Sequence, residues 1–337
     1  MNRIALIGCG AIAAGGHAPV IRRHPRFALA AVCDVKPEAA RRLAREFGDA
    51  PAYEDWRDLL DREEFDAAVL ALPPEVSPDV VIECLRRGLP VLDEKPLAAT
   101  PRDGRRVERA LAEFGGVYQC GFVLRYADWV REVGRLAAAI GAPSRTRVTV
   151  YDERLDRSDV EHLNRIQSFL ANSSAMTHEG SHVVDYAAIW NPSPWTRVRA
   201  SAERTAPDFK GPNVWRASVE SADGSTLDME IGWLLPALPP CAVSIEGPGG
   251  RLELNPSTGI GGWRIGAERG TLALPPLAPE WDRQYDAFAE AIDRGVAATA
   301  TLADGLRALE VTAAAEASAR NGAAVERIKA PQGTKVS

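Results

Sequence analysis

The feature that most constrains the fold is a rhythm along the first third of the chain. Between residues 1 and 122, short aliphatic runs at 4–7, 28–33, 67–72, 91–92 and 117–120 alternate with amphipathic stretches at 11–23, 37–47, 80–87 and 101–114. Apolar runs without an alternating polar face belong to strands covered on both sides, which calls for a parallel sheet between layers of helix. The amino-terminal part is therefore expected to be a doubly wound parallel sheet.

The first run leads directly into Gly8-Cys9-Gly10-Ala11-Ile12-Ala13 and then a helix. This spacing fits the dinucleotide fingerprint with alanine at the third glycine position: Gly8 permits the tight turn, Gly10 leaves room for a pyrophosphate, and Ala13 lets helix and strand approach. The phosphates would rest on the helix amino terminus, where backbone donors and the helix dipole favour negative charge. Asp34 ends the second run about 20 residues on, where a carboxylate can accept from both ribose hydroxyls. It favours NAD, since it would repel the additional phosphate of NADP; the neighbouring Lys36 keeps NADP open. At the third strand end, Leu72 and Pro73 form a narrow apolar turn suited to the ribose edge of such a cofactor.

Glu94-Lys95-Pro96-Leu97 follows the run at 89–92 and so puts a lysine at a strand's carboxyl end, the edge where open α/β sheets bind ligands. Proline restrains the residue before it, which holds Lys95 on a stiff turn where it can serve as an acid or a fixed charge. Arg125, just beyond the last parallel strand, could brace the nicotinamide side or make a salt bridge between domains.

Past the break at 141–143 the pattern changes to longer alternating segments at 145–151, 198–202, 215–221, 226–233, 242–246 and 251–254, joined by turn formers. They predict an α+β domain with a largely antiparallel open sheet, one face covered by helices and the other free for a partner. Helices are expected at 159–170 and 178–190, with a long final helical stretch, 281–321, broken near 295–301. Residues 275–279 read as a linker. The division is thus 1–122 for the dinucleotide domain and 123–337 for substrate binding and oligomerisation, with the final helical segment able to pack back on the first domain.

With 337 residues, 46% hydrophobic and 26% charged, the chain is long enough for two domains of ordinary globular composition. A net charge of -6 without a basic stripe argues against nucleic-acid and anionic-membrane partners. Five scattered cysteines without metal or redox spacing read as reduced core residues, and no apolar stretch approaches the ~20 residues of a membrane span. A cytoplasmic location is expected.

His178 and His182 stand four residues apart, and on a helix they share a face with Asp185. His178-Glu179-Gly180-Ser181-His182 also matches the zinc-protease pattern, but Gly180 is a poor helix former and no third ligand stands at a suggestive spacing, so no metal is expected. A histidine can instead exchange a hydroxyl proton while hydride moves to a nicotinamide ring. Of the other histidines, His17 reads as a helix-surface residue that could approach the cofactor, and His24 and His162 read as solvated.

Together the Gly8–Ala13 loop, Asp34, Glu94-Lys95-Pro96-Leu97, the stretch from Gly121 to Arg125, Gly180-x-His182-x-x-Asp185 and the closing segment from Tyr285 to Glu310 resemble the glucose-fructose oxidoreductase and inositol dehydrogenase family (Gfo/Idh/MocA). The resemblance implies a Rossmann domain followed by an α/β domain whose open sheet forms a homodimer or homotetramer interface. It implies hydride transfer between NAD(P) and a secondary carbinol of a sugar, an inositol or a related polar small molecule, with Lys95 as the catalytic lysine and His182 as general acid/base. Many members have an aspartate where this chain has His178, which would here assist or orient. The expected cofactor contacts are Gly8, Cys9, Gly10, Ala11, Ile12, Asp34, Leu72, Pro73, Glu94, Lys95 and Arg125. Two further readings follow from the residues: a dinucleotide-binding sensor without catalysis, and a zinc hydrolase on His178, Glu179 and His182.

Overall fold

The computed structural model describes residues 1–275 and 279–328. The chain forms two compact units, Met1–Tyr126 with Pro279–Leu306, and Ala127–Ala278 with Arg307–Ser337. The stretch read as a linker, 275–279, lies mostly outside the described residues.

The first unit opens with β1 (Asn2–Ile7), a π-helical turn (Ala13–His17) running into α1 (Ala18–Arg23), β2 (Phe27–Cys33) and α2 (Pro37–Phe47). It continues through β3 (Ala52–Tyr53), α3 (Trp56–Arg62), β4 (Ala67–Leu70), α4 (Ser77–Arg86), β5 (Val91–Asp93), α5 (Pro101–Phe114), β6 (Tyr118–Cys120) and a 3-10 turn (Val123–Tyr126). The six strands are all parallel, in the order β3-β2-β1-β4-β5-β6. This is the doubly wound arrangement the rhythm predicts, and its order reverses between β1 and β4, the kind of switch point at which open α/β sheets bind ligands. Ile4, Leu6, Val32, Val69 and Leu92 are fully buried, as strands covered on both faces require. Pro at the first turn and Gly48 at positive φ bound α2. The pairing of β3 and the short α3 are additions to the predicted set.

The second unit runs through α6 (Asp128–Ile140), β7 (Arg145–Asp152), α7 (Val160–Asn172), α8 (Ala175–Trp190), β8 (Trp195–Glu203), β9 (Val214–Ser221) and β10 (Thr226–Trp233). Next come β11 (Ala242–Gly247), β12 (Gly250–Asn255), β13 (Ile260–Ile265) and β14 (Glu268–Ala273). Then α9 (Glu280–Arg294) belongs to the first unit, α10 (Leu302–Arg320) starts in the first and continues in the second, and β15 (Glu326–Arg327) is in the second. The second sheet has nine strands, β14-β13-β12-β11-β7-β10-β9-β8-β15. It is mixed rather than wholly antiparallel: β7 and β10 pair in parallel over eight residues. Two strands, β13 and β14, follow the segments named from the sequence and extend the sheet.

Period-2 patterning gives this sheet two unlike faces. Val148, Ala217, Val219, Leu227, Met229 and Ile231 are buried, while Arg145, Arg147, Arg216 and Ser218 alternate with them on the other side. On that polar side Arg145 bonds Asp228 at 2.7 Å and Arg216 bonds Glu230 at 2.8 Å. The buried side receives α8, of which most residues around the whole helix are buried, so its amphipathicity is weak by construction.

Candidate functional site

In the first unit the glycine loop sits at the switch point of the sheet. Gly8 adopts φ +97, and a Cβ there would come within 2.2 Å of the Ala71 carbonyl oxygen at the end of β4, so only glycine fits. Gly10 differs: a Cβ would meet no atom within 4 Å, and Gly10, Ala11 and Ile12 are exposed. The loop is therefore closed toward the protein and open above, which is the cradle a pyrophosphate needs at the start of a helix. Ala13 is fully buried, in the close-packed position the fingerprint assigns it.

Asp34 braces this loop from the end of β2. Its Oδ2 accepts from the Cys9 N–H at 2.8 Å and its Oδ1 from the Lys36 N–H at 2.8 Å. Each carboxylate oxygen retains a second acceptor site, so the half-buried side chain can also receive ribose hydroxyls. Cys9 has its amide on Asp34 and its thiol turned inward. Burial, reinforced by the charge of Asp34, pushes that thiol up to about 12, which keeps it neutral. Leu72 is half-buried and Pro73 exposed at the end of β4, and the Pro73 carbonyl accepts from Val76 and Ser77 N–H as the chain turns into α4.

Lys95 stands two residues past β5, half-buried, ahead of a cis bond to Pro96. Its N–H donates to Oε2 of Glu94 at 3.2 Å, while the Glu94 N–H donates to Leu70 O and extends the ladder with β4. Glu94 is 8% exposed, and its other oxygen meets Nε2 of His17 at 3.1 Å. A Cβ on Gly121 would lie 2.8 Å from the Glu94 Cα and 2.9 Å from its carboxyl carbon. Glycine there makes room for this side chain.

Three histidines depart from the sequence reading. His17 is fully buried, with Nδ1 2.9 Å from the Tyr285 hydroxyl, and His24 is 7% exposed, with Nε2 3.1 Å from Asp286. Both partners lie on α9, more than 250 residues away in sequence, so neither burial could be read locally. His162 is half-buried near Glu153 rather than solvated. Arg125 bonds Thr299 O at 2.6 Å and Asp304 at 3.0 Å, both within its own unit.

Asp93, which sequence reasoning passed over, is the most perturbed carboxyl of this edge. It is 1% exposed and accepts from Ser77 Oγ and from the Tyr118 hydroxyl, the latter at 3.0 Å. Burial pushes it up to about 7, against the opposing pull of those two hydrogen bonds. Its signal was available: a charged residue inside an apolar strand.

The histidine pair is in the second unit, on α8. Ser174 caps this helix by accepting from the Thr177 N–H at 3.0 Å, so the serine pair before it sets the start at Ala175, three residues ahead of the expected one. Helical spacing puts His178, His182 and Asp185 on one face. His182 is 7% exposed and Asp185 2%, while half-buried His178 packs its ring against Phe169 and Trp233 at centroid distances of 5.1 and 5.5 Å. Gly180 is helical despite its low propensity because a side chain there would come 2.7 Å from Met176 Sδ and 3.2 Å from Ile231 on β10. Among the described residues no group of three or more His, Cys, Asp or Glu stands where it could hold a metal ion.

The geometry can be set beside known proteins. The sequence model of the oxidoreductase family with an NAD-binding Rossmann fold (Gfo/Idh/MocA) matches residues 2–122. An inositol 2-dehydrogenase of Rubrobacter xylanophilus is 29% identical over 302 residues, 87% of this chain and 76% of that protein. One from Burkholderia multivorans is 34% identical over 146 residues, 42% of this chain and 43% of that protein. Among solved structures, an Agrobacterium radiobacter oxidoreductase in complex with NAD+, L-tartaric acid and magnesium aligns with a TM-score of 0.85 at 20% identity, covering 97% of this chain and 98% of that one. A myo-inositol 2-dehydrogenase of Lactobacillus plantarum aligns with a TM-score of 0.83 at 19% identity over 97% and 99% of the two chains. At these identities the structural likeness is one of fold.

Proposed function

We propose, from the match of residues 2–122 to the Gfo/Idh/MocA oxidoreductases with an NAD-binding Rossmann fold, that this chain is an NAD-dependent dehydrogenase of a cyclic polyol of the inositol or sugar class. The observation that carries this reading is the meeting of the open Gly10 cradle, Asp34 and Lys95 at the carboxyl edge of one parallel sheet. When bound, NAD supplies a nicotinamide ring that takes up or returns the hydride. Lys95 polarises the reacting oxygen, His182 takes or gives its proton, and His178 orients the substrate or assists the transfer. An imidazole at 178 cannot supply the negative charge that an aspartate would, so the pH optimum of turnover should differ from that of members with aspartate there.

Asp34 selects NAD over NADP by charge. Gly10, Ala11 and Ile12 hold the pyrophosphate, whereas Gly8 and Cys9, whose N–H groups go to Cys33 O and Asp34, shape the loop beneath it; Leu72, Pro73 and Glu94 line the ribose and nicotinamide side, and Arg125 braces it. The unit of residues 1–126 with 279–306, rather than 1–122 alone, serves as the cofactor domain, because α9 packs on its sheet, and the other unit serves substrate binding and assembly. The polar face of the nine-stranded sheet, with a depression of about 540 Å³ lined by residues including Arg147, Arg199, Arg216 and Glu230, joins copies into a dimer or tetramer. The enzyme works in the cytoplasm, where its five free cysteines stay reduced; no described helix is long and apolar enough to cross a membrane.

The test is absorbance at ~340 nm with NAD+ or NADP+ and a panel of inositols and aldoses, which reports hydride transfer directly. The reading predicts turnover of at least one cyclic polyol with NAD+ preferred. NAD+ binding without turnover across the panel would favour the sensor reading instead.

A further inference from the structure

His17 links three elements of the first unit. It ends the π-helical turn that follows the glycine loop, and its two ring nitrogens reach Tyr285 on α9 and Glu94 beside Lys95. All three side chains are at least nine-tenths buried. Burial and the nearby Glu94 charge push Tyr285 well above the ordinary range, so it stays a phenol and can donate to Nδ1. That bond fixes the tautomer: Nε2 then carries the proton and donates to the Glu94 carboxylate. The ring cannot swing away, because its edge packs on Trp281 at a centroid distance of 5.1 Å, and Gly16 lets Trp281 come this close. An α-helix adds no extra residue per turn, whereas a π-turn does, and such turns often mark functional positions.

We propose that His17 is a positioning residue for Lys95: held by Tyr285, it fixes the Glu94 carboxylate that receives the Lys95 amide, and so sets the geometry of the catalytic turn. This rests on the reading of Lys95 as the catalytic lysine. A buried histidine that merely fills space would need its ring but neither nitrogen. The positioning role needs Nε2 above all, since that atom meets Glu94, and Nδ1 only as its anchor.

Amide side chains separate the two nitrogens. In His17→Gln the terminal amide lies near the Nε2 position and can still donate to Glu94, whereas in His17→Asn it lies near Nδ1 and cannot. The readout is the rate at which an N-hydroxysuccinimidyl acetate acetylates Lys95, measured by peptide mass spectrometry against the exposed lysines Lys36 and Lys210 as internal references. We expect His17→Asn and His17→Phe to change the relative Lys95 rate by about threefold or more, the scale on which misplacement of a held group is felt. His17→Gln should return it toward the wild-type value. Tyr285→Phe removes one hydroxyl and keeps the ring, and should shift the rate in the same direction as His17→Asn. Combining His17→Asn with Glu94→Gln should give no more than the larger single effect, because both act through one contact.

A relative Lys95 rate unmoved in both His17→Asn and Tyr285→Phe, with native circular dichroism, would overturn the proposal. The two readings fail separately: turnover surviving Lys95→Ala would remove the catalytic lysine and leave the labelling result standing, whereas labelling indifferent to His17 would do the reverse.

Discussion

Three consecutive side chains at the end of β5 differ in burial and in what they can do: Asp93 is 1% exposed, Glu94 8%, and Lys95 half-buried. Asp93 titrates at about 7 in the folded protein against an ordinary value of about 3.9, so the folded state holds its proton where the unfolded state has released it. Its contribution to stability is full below about pH 4 and is lost as pH rises through about 7. The stability of Asp93→Asn relative to wild type should therefore rise between pH 4 and 7, by at most ~4 kcal/mol. Urea unfolding at several pH values checks this; a difference independent of pH would contradict it. At this scale legibility was uneven. Gly8, Gly10 and Asp34 announce themselves by spacing, because the loop's demands are local. His17 did not, because its burial comes from Tyr285 and Glu94, 268 and 77 residues away.

At the scale of elements, α2 and α5 keep the bounds read from sequence, 37–47 and 101–114, because each opens with proline and ends at a glycine of positive φ. The strands β13 and β14 were missed because Gly259, Gly261 and Gly262 imitate a loop; Gly261 is there because a Cβ would strike the Glu253 carbonyl at 2.2 Å. The parallel pairing of β7 with β10 could not be read either, since alternation fixes which face a residue takes and not the direction of its neighbour. Helix α9 returns to the first unit by burying Tyr285 and Phe288 against Phe27 of β2. Removing a fully buried ring leaves a cavity, so Phe288→Ala should cost ~3–5 kcal/mol of stability in denaturant titration. A loss under ~1 kcal/mol would mean that α9 is not part of this core.

For the whole molecule, the two units differ in how their sheets are covered. The polar face of the second sheet carries cross-strand pairs such as Arg197 with Glu220 at 2.6 Å and Arg216 with both Glu230 and Glu203. Exposed pairs of this kind add little to the fold by themselves, which leaves them available for recognition. If copies assemble through this face, Arg216→Glu places like charges beside Glu203 and Glu230 and should shift sedimentation toward the monomer. An unchanged sedimentation coefficient would direct the interface elsewhere. If Lys95 acts on a polyol beside bound NAD, Lys95→Ala separates cofactor binding from turnover when both are measured on the same preparation. We expect NADH affinity, followed by fluorescence, to stay within about threefold of wild type while turnover falls by about a thousandfold, the loss typical of an acid or oxyanion-stabilising group. Turnover preserved at the wild-type rate would remove Lys95 from the chemistry.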